Sequence, residues 1–249
     1  MINLEDNLNH ITEELSVIMP SYNEEDLIET AVKEVQDCVL NQVSGASLFI
    51  MDGGSTDGTV KIIERLMQED NRIKLVYKPG CKHGPSLILG MNMAKSKYIF
   101  LIDSDMQIPL NCFSKLWNMK DTYDAILGTR HNRQDPKQRL LVSLIAKTLI
   151  KIIFSVDLID ANAPCKLFKL SIWQDMRSRL NVEDLLVPSM FIAIFAKSQK
   201  YKVIEIPVIH KAREAGQNIS LQTILRTGLK VCTEFFKYRT NLLRPPISS

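Results

Sequence analysis

Short apolar runs recur through the first half of the chain, at Leu15–Met19, Ser47–Met51, Ile73–Tyr77, Tyr98–Ile102 and Asp124–Leu127. Between them, apolar positions fall at helical spacing over Glu24–Leu40, Thr59–Glu69, Pro85–Lys95 and Pro109–Met119. Strand, helix, strand repeated at this interval predicts an α/β fold, a mostly parallel sheet flanked by helices on both faces. Such sheets bind ligands beyond the carboxyl ends of their strands, where the strand order reverses. Polar clusters follow three of the strands directly: PSYNEE after the first, DGGSTDGT after the second and DSDMQ after the fourth. The pattern aims several carboxylates at one edge of the sheet.

The second half reads differently. Leu140–Val156 is apolar around most of a helical circumference, interrupted by Lys147 and Lys151 on one face. No uninterrupted apolar stretch reaches the roughly 18–20 residues that span a bilayer, so this segment is either core or lies in a membrane interface. Leu221–Leu243 places Leu221, Leu225, Leu229, Cys232, Phe235 and Phe236 at helical spacing, with Arg226, Lys230, Lys237 and Arg239 on other faces. A basic amphipathic helix of this kind suits a membrane surface or a packing face on its own domain. We therefore expect one catalytic domain over residues 1–212 and a basic amphipathic extension over 213–249.

Composition narrows the function classes. The chain has 249 residues, 45% hydrophobic and 24% charged, which suits one large globular domain and excludes a disordered or fibrous chain. Its net charge of +3 is unevenly spread. Residues 1–130 hold 12 Lys/Arg against 19 Asp/Glu, and residues 131–249 hold 19 against 9. The basic rear half suits an anionic partner such as phosphates or a lipid surface. No aromatic–basic RNA motif is present, so nucleic acid is not expected as a partner. Five cysteines without a paired C-x-x-C pattern argue against structural zinc or a disulfide framework and for a reducing compartment. Glu5, Asp6, Glu13 and Glu14 near the start do not read as a secretory leader.

Asp103 and Asp105 follow the apolar run that ends at Ile102. In extended geometry, residues i and i+2 point the same way. Two carboxylates side by side repel unless a cation lies between them, and a hard divalent ion completed by substrate phosphates meets that need. Gln107 adds an oxygen two residues on. As an isolated pattern D-x-D also suits a turn; its place after a buried strand favours the metal. In Asp52–Thr59, glycines such as Gly54 permit close backbone approach, and Asp57 or Thr59 can cap the following helix. Asp52 is placed to accept hydrogen bonds from a nucleobase or ribose. The loop has neither a Walker lysine nor G-x-G-x-x-G spacing, which excludes a P-loop NTPase and a dinucleotide enzyme.

VIMPSYNEE (17–25), MDGGSTDGT (51–59) and LIDSDMQIP (101–109), in this order at strand ends, resemble the inverting family 2 glycosyltransferases with the Rossmann-like GT-A fold. The resemblance implies a nucleotide-sugar pocket lined by Pro20, Tyr22, Glu24, Asp52, Gly54, Asp103 and Ser104. It assigns Asp103, Asp105 and Gln107 to a Mg²⁺ or Mn²⁺ ion at the diphosphate, with Asp103, Asp105 and Arg213 as catalytic residues. The rear half is similar to the polyprenyl-phosphate sugar transferases, through Gly128–Arg130, Arg139–Ser143, DANAPCKLFK (160–169) and EIPVIHKAREAGQNIS (205–220). It departs from them at Asn162–Lys166 and at Gly216–Ser220.

That subgroup implies a polyprenyl phosphate acceptor held by Arg130, Arg139 and Ser143. It also implies residence at the cytoplasmic face of a membrane, bound peripherally or through a membrane-protein partner. A lipid phosphate is already ionised at pH 7, so it needs cations rather than a general base. Arg130, Arg139, Lys147, Lys151 and Arg213 are the candidates. Two alternatives stand beside this reading. One is transfer to a glycan hydroxyl with Glu183 or Asp184 as general base. The other is a non-catalytic nucleotide-sugar-binding subunit.

Overall fold

The computed structural model describes residues 14–131, 137–183, 185–211 and 221–242. Its centre is a seven-stranded sheet in the order β3-β2-β1-β4-β6-β5-β7. The strands are β1 (Leu15–Ser21), β2 (Ala46–Asp52), β3 (Ile73–Tyr77), β4 (Tyr98–Leu101), β5 (Ala125–His131), β6 (Lys166–Lys169) and β7 (Val203–Ile209). Every pairing is parallel except the two made by β6, which runs antiparallel between β4 and β5. The expected mostly parallel sheet is present, with the one reversed strand in its middle.

Helices α1 (Ile28–Val35), α2 (Thr59–Glu69) and α4 (Phe113–Trp117) cover one face. The other face carries α3 (His83–Met93), α5 (Lys137–Phe154), α6 (Leu170–Arg179), α7 (Pro188–Ser198) and α8 (Leu221–Leu242). The alternation of strand side chains feeds both layers. In β1, Leu15, Val17 and Met19 enter the first core and Ile18 the second. In β4, Tyr98 and Phe100 enter the first, Ile99 and Leu101 the second. A strand buried on both faces reads as a continuous apolar run, as VIM and YIFL do.

Strand order reverses between β1 and β4, because β1 leads on to β2 on one side while β4 lies on the other. The register pairs Ile18 with Leu101, so β1 continues past the end of β4. The loop holding Asp103 therefore lies alongside Pro20–Tyr22 at the carboxyl edge. Because β6 is reversed, its beginning reaches the same edge, bringing Asp160–Lys166 to the site.

Several elements differ in detail from the expectation. The first helix narrows to Ile28–Val35 and continues as a π-helical turn over Gln36–Leu40. In α8 the buried stripe is Val231, Phe235 and Tyr238, spaced i, i+4, i+7, and Phe235 packs edge-on against Phe154 and Phe191. Leu229 and Phe236, expected among the apolar positions of the helix, are 69% and 63% exposed. Of the apolar positions expected on this helix, Phe235 docks, because Phe154 of α5 and Phe191 of α7 receive it there. Among the described residues no helix is long and apolar enough to cross a membrane.

Candidate active site

The loops after β1 and β2 are laced together by their polar side chains. Asn23 N–H donates to Ser55 Oγ at 2.9 Å, and Thr56 N–H donates to Asn23 Oδ1 at 2.8 Å. Glu24 N–H donates to Thr59 Oγ1 at 2.9 Å, and Gly58 N–H to the Glu25 carboxylate. Asn23 holds φ +53°, a left-handed conformation its short polar side chain tolerates. Polar residues of the two motifs thus satisfy each other's backbone, and Tyr22 is left 59% exposed at the cleft.

Asp52 is 1% exposed. Its Oδ1 accepts from Gly54 N–H and Ser55 N–H, at 2.9 and 2.8 Å, and its Oδ2 accepts from Ser55 Oγ at 2.6 Å. The carboxylate builds its own loop. Gly54 has φ +98°, and a Cβ there would lie 2.7 Å from Pro79 Cα. The close approach this glycine permits is to the segment after β3.

Asp103 and Asp105 do not stand in extended geometry as the i, i+2 argument supposed. Ser104 and Asp105 form a turn, Met106 takes φ +59°, and Gln107 N–H donates back to Asp105 Oδ1 at 3.2 Å. A left-handed non-glycine residue costs of order 1–3 kcal/mol and marks functional sites more often than others. Gln107 Nε2 donates to the Lys211 carbonyl at 3.2 Å, tying the D-x-D turn to the end of β7.

Two clefts meet at Asp103. The first is lined by Pro20, Tyr22, Glu24, Ser104 and Asp105 with Cys81, Ser86 and His83. The second lies toward β6 and α7, where Asn162, Pro164, Val187, Pro188 and Ser189 face Leu87, Leu101 and Ile102. His83 and Asp103 belong to both.

At the junction His83 Nε2–H donates to Asp103 Oδ1 at 3.2 Å. Desolvation opposes a charged ring, but the hydrogen bond to Asp103 and the fields of Asp103 and Asp105 outweigh it, raising the His83 pKa. Desolvation likewise raises Asp103, and the His83 hydrogen bond with the charges of His83, Lys166 and Arg130 overcomes it, holding the carboxyl below its usual range. The imidazole side chain is 61% exposed, so solvent screens this pair.

Behind the second cleft Arg130 joins Asp160 and Lys166, two residues not expected as part of the site, in a charge cluster. Lys166, at the start of β6, is wholly buried. Its Nζ donates to the Ala163 carbonyl and, at 2.8 Å, to Ser189 Oγ. Burial pulls its pKa down to about 8 against the opposing pull of Asp160. Arg130 grips Asp160 with a two-pronged bond, Nε–Oδ2 at 2.7 Å and Nη2–Oδ1 at 2.9 Å. Its guanidinium, expected to face an acceptor phosphate, is committed to Asp160 and is only 10% exposed. A buried lysine breaks the apolar pattern of a central strand, and that break at Lys166 is the signal the sequence offered.

Of the other expected residues that the structure describes, Ser143 and Glu183 do not line these clefts. Ser143 is half-buried on α5, and Arg139 lies in the first turns of that helix, its side chain outside the described residues. Arg213 and Asp184 are also outside them. Glu183 is exposed and approaches Asn92 Nδ2 at 3.5 Å. Asn92 is at the far end of α3 from His83, roughly 13 Å along the helix at 1.5 Å per residue. Glu183 is therefore not brought to the D-x-D turn as a base.

The donor set fits a divalent ion of the kind that phosphates complete. Asp103 and Asp105 supply hard oxygens to an open cleft, and among the described residues no cluster of three or more His, Cys, Asp or Glu forms a closed cage. Mg²⁺ in such sites is held by one or two carboxylates plus substrate phosphate oxygens.

A mixed, mostly parallel seven-stranded sheet flanked by helices, with carboxylates at its switch point, is the GT-A architecture of glycosyltransferases. The chain belongs to glycosyl transferase family 2, whose family model matches residues 16–173. Among curated proteins it is 25% identical over 207 residues to the undecaprenyl-phosphate 4-deoxy-4-formamido-L-arabinose transferase of Edwardsiella ictaluri (strain 93-146). It is 26% identical over the same length to the enzyme of that name from Proteus mirabilis (strain HI4320). Each match covers 82% of this chain and 62% of the relative, so the chain spans less than two thirds of their length. Among solved structures it resembles glucosyl-3-phosphoglycerate synthase from Mycobacterium tuberculosis in complex with Mn²⁺, UDP and phosphoglyceric acid, with a TM-score of 0.66 and 16% identity. That match covers 95% of this chain and 80% of the other. The same synthase with UDP alone gives a TM-score of 0.65 at 16% identity, covering 95% and 82%.

Proposed function

We propose that this protein transfers a sugar from a nucleotide diphosphate sugar to a polyprenyl phosphate, with inversion and with a divalent metal at the D-x-D turn. The observation that carries the reading is the pair of carboxylates at the switch point, Asp103 where two clefts meet and Asp105 lining the first, in a chain of family 2. The first cleft takes the nucleoside along Pro20, Tyr22 and Glu24, with Ser104 beside the diphosphate, and Asp52 and Gly54 shape its neighbouring loop. Asp103 and Asp105, with Gln107 nearby, would hold Mg²⁺ or Mn²⁺. Such an ion, when bound, offsets charge on the departing diphosphate.

The acceptor phosphate attacks the anomeric carbon from the face opposite the diphosphate. It needs no base, only cations; Arg139 and Arg213 are proposed to hold it, and Arg130, fixed by Asp160, contributes its field. The curated relatives named for undecaprenyl phosphate support this acceptor class. So does the surface of α5, where Leu141, Leu144 and Ile152 are 58%, 60% and 69% exposed next to Lys147 and Lys151. Apolar side chains among lysines suit the cytoplasmic face of an anionic membrane, worth about 1 kcal/mol per nearby cation. Residues 1–212 would then form the catalytic unit and 213–249 a basic segment beside the membrane.

Asp105→Asn tests the metal–diphosphate assignment. Turnover should fall by on the order of 100- to 1,000-fold, with the thermal midpoint and circular dichroism of the wild type. Undiminished transfer by this variant would refute the assignment.

A further inference from the structure

We propose that Ser189 and Lys166 read the transferred sugar in the second cleft: Ser189 donates its hydroxyl proton to a sugar oxygen, and Lys166 fixes that proton's direction. The inference rests on the donor being a nucleotide diphosphate sugar, and it names the residues that recognise the sugar itself.

A lysine ammonium donates and cannot accept. The 2.8 Å contact from Lys166 Nζ to Ser189 Oγ therefore occupies a lone pair of the hydroxyl and leaves its proton to be given elsewhere. Among the described residues no acceptor takes that proton. Ser189 is 8% exposed and lines the second cleft. Its donor thus points to something that enters the cleft and brings an oxygen.

The shape of the donor says which part enters. A nucleotide diphosphate sugar is linear, with its diphosphate in the middle. With that group at Asp103 and Asp105 and the nucleoside along Tyr22 and Glu24, the remaining end passes Asp103 into the cleft of Asn162 and Ser189. Burying an ammonium is costly unless its donors are used. At Lys166 the cost is met by the Ala163 carbonyl, by Ser189, and by the nearby carboxylates of Asp160 and Asp103. Ser189 is the contact that touches the sugar; Lys166 acts through it as a positioning residue.

The test is calorimetric titration of the full chain, with Mn²⁺ present, using UDP, GDP, UDP-glucose, UDP-N-acetylglucosamine and GDP-mannose. In the wild type, the best nucleotide sugar should bind more tightly than its parent nucleoside diphosphate. Ser189→Ala should leave the nucleoside diphosphate affinity unchanged and weaken the nucleotide sugar by about 3- to 10-fold, the worth of one neutral hydrogen bond. Lys166→Met should act in the same direction and Lys166→Arg should restore the discrimination. Equal affinities of wild type and Ser189→Ala for the sugar, or equal losses for the sugar and the bare diphosphate, would overturn the inference. So would a wild type that gains no affinity from the sugar. A wild type that binds none of the five nucleotides would instead overturn the donor reading on which it stands.

Discussion

Lys166 is the residue whose chemistry is most exposed to a direct test, because its pKa of about 8 lies well below the ordinary lysine value. In the unfolded chain the ammonium titrates near about 10.4. Between these values the unfolded state binds more protons than the folded one, so the stability contributed by Lys166 rises with pH from about 8 to about 10. Tyr98 has the opposite sign: burial, then the charge and hydrogen bond of Asp121, push its hydroxyl up to about 12. Above about pH 10 the unfolded tyrosine loses its proton first, and stability falls. Urea midpoints measured from pH 7 to 11 should climb through the first window and decline beyond it. Lys166→Met should remove the climb and keep the decline; an unchanged climb would show that the ammonium is not desolvated as described.

Among the elements, α3 does the most to shape the site, since His83 at its beginning faces both clefts. Gly84 lets it sit there. A Cβ at Gly84 would lie 2.4 Å from the Leu186 carbonyl and 2.8 Å from that of Leu185, backbone atoms that cannot rotate away. Gly84→Ala should therefore lower the thermal midpoint, by overpacking of about 1–3 kcal/mol, despite alanine's better helix propensity. It should also weaken nucleotide-sugar binding more than nucleotide binding, because Val187–Ser189 follow directly. The early elements were legible in the sequence, since β1, β2, β3 and β4 are apolar runs and polar motifs follow β1, β2 and β4 at once. The reversed β6 was not: four residues beginning with a buried lysine carry no strand periodicity. In α8 the apolar positions were legible but not which of them turn to the core, because Leu229 and Phe236 are as apolar as Val231 and Phe235. Only the position of Phe154 and Phe191 decides between them. At the site, Asp103 and Asp105 were legible as carboxylates past a strand. The commitment of Arg130 to Asp160, 30 residues away, was not, since pairing at that separation leaves no local pattern.

At the scale of the whole molecule, the acidic front half lines the first cleft and shares the second with the rear half, and the basic rear half also carries α5 and α8 with apolar side chains open to solvent. That division suits an enzyme that takes a water-soluble donor at one edge and meets an anionic lipid beside it. Net charge alone bears on association rather than on reaction, so the acceptor must be tested chemically. The most direct measurement follows label from UDP- and GDP-sugars into the organic phase, with purified protein and Mg²⁺ or Mn²⁺, with and without polyprenyl phosphate. A polyprenyl phosphate acceptor predicts transfer that requires the lipid and is lost on adding a chelator. Donor consumption that ignores the lipid, with label remaining in water or on a glycan hydroxyl, would contradict it.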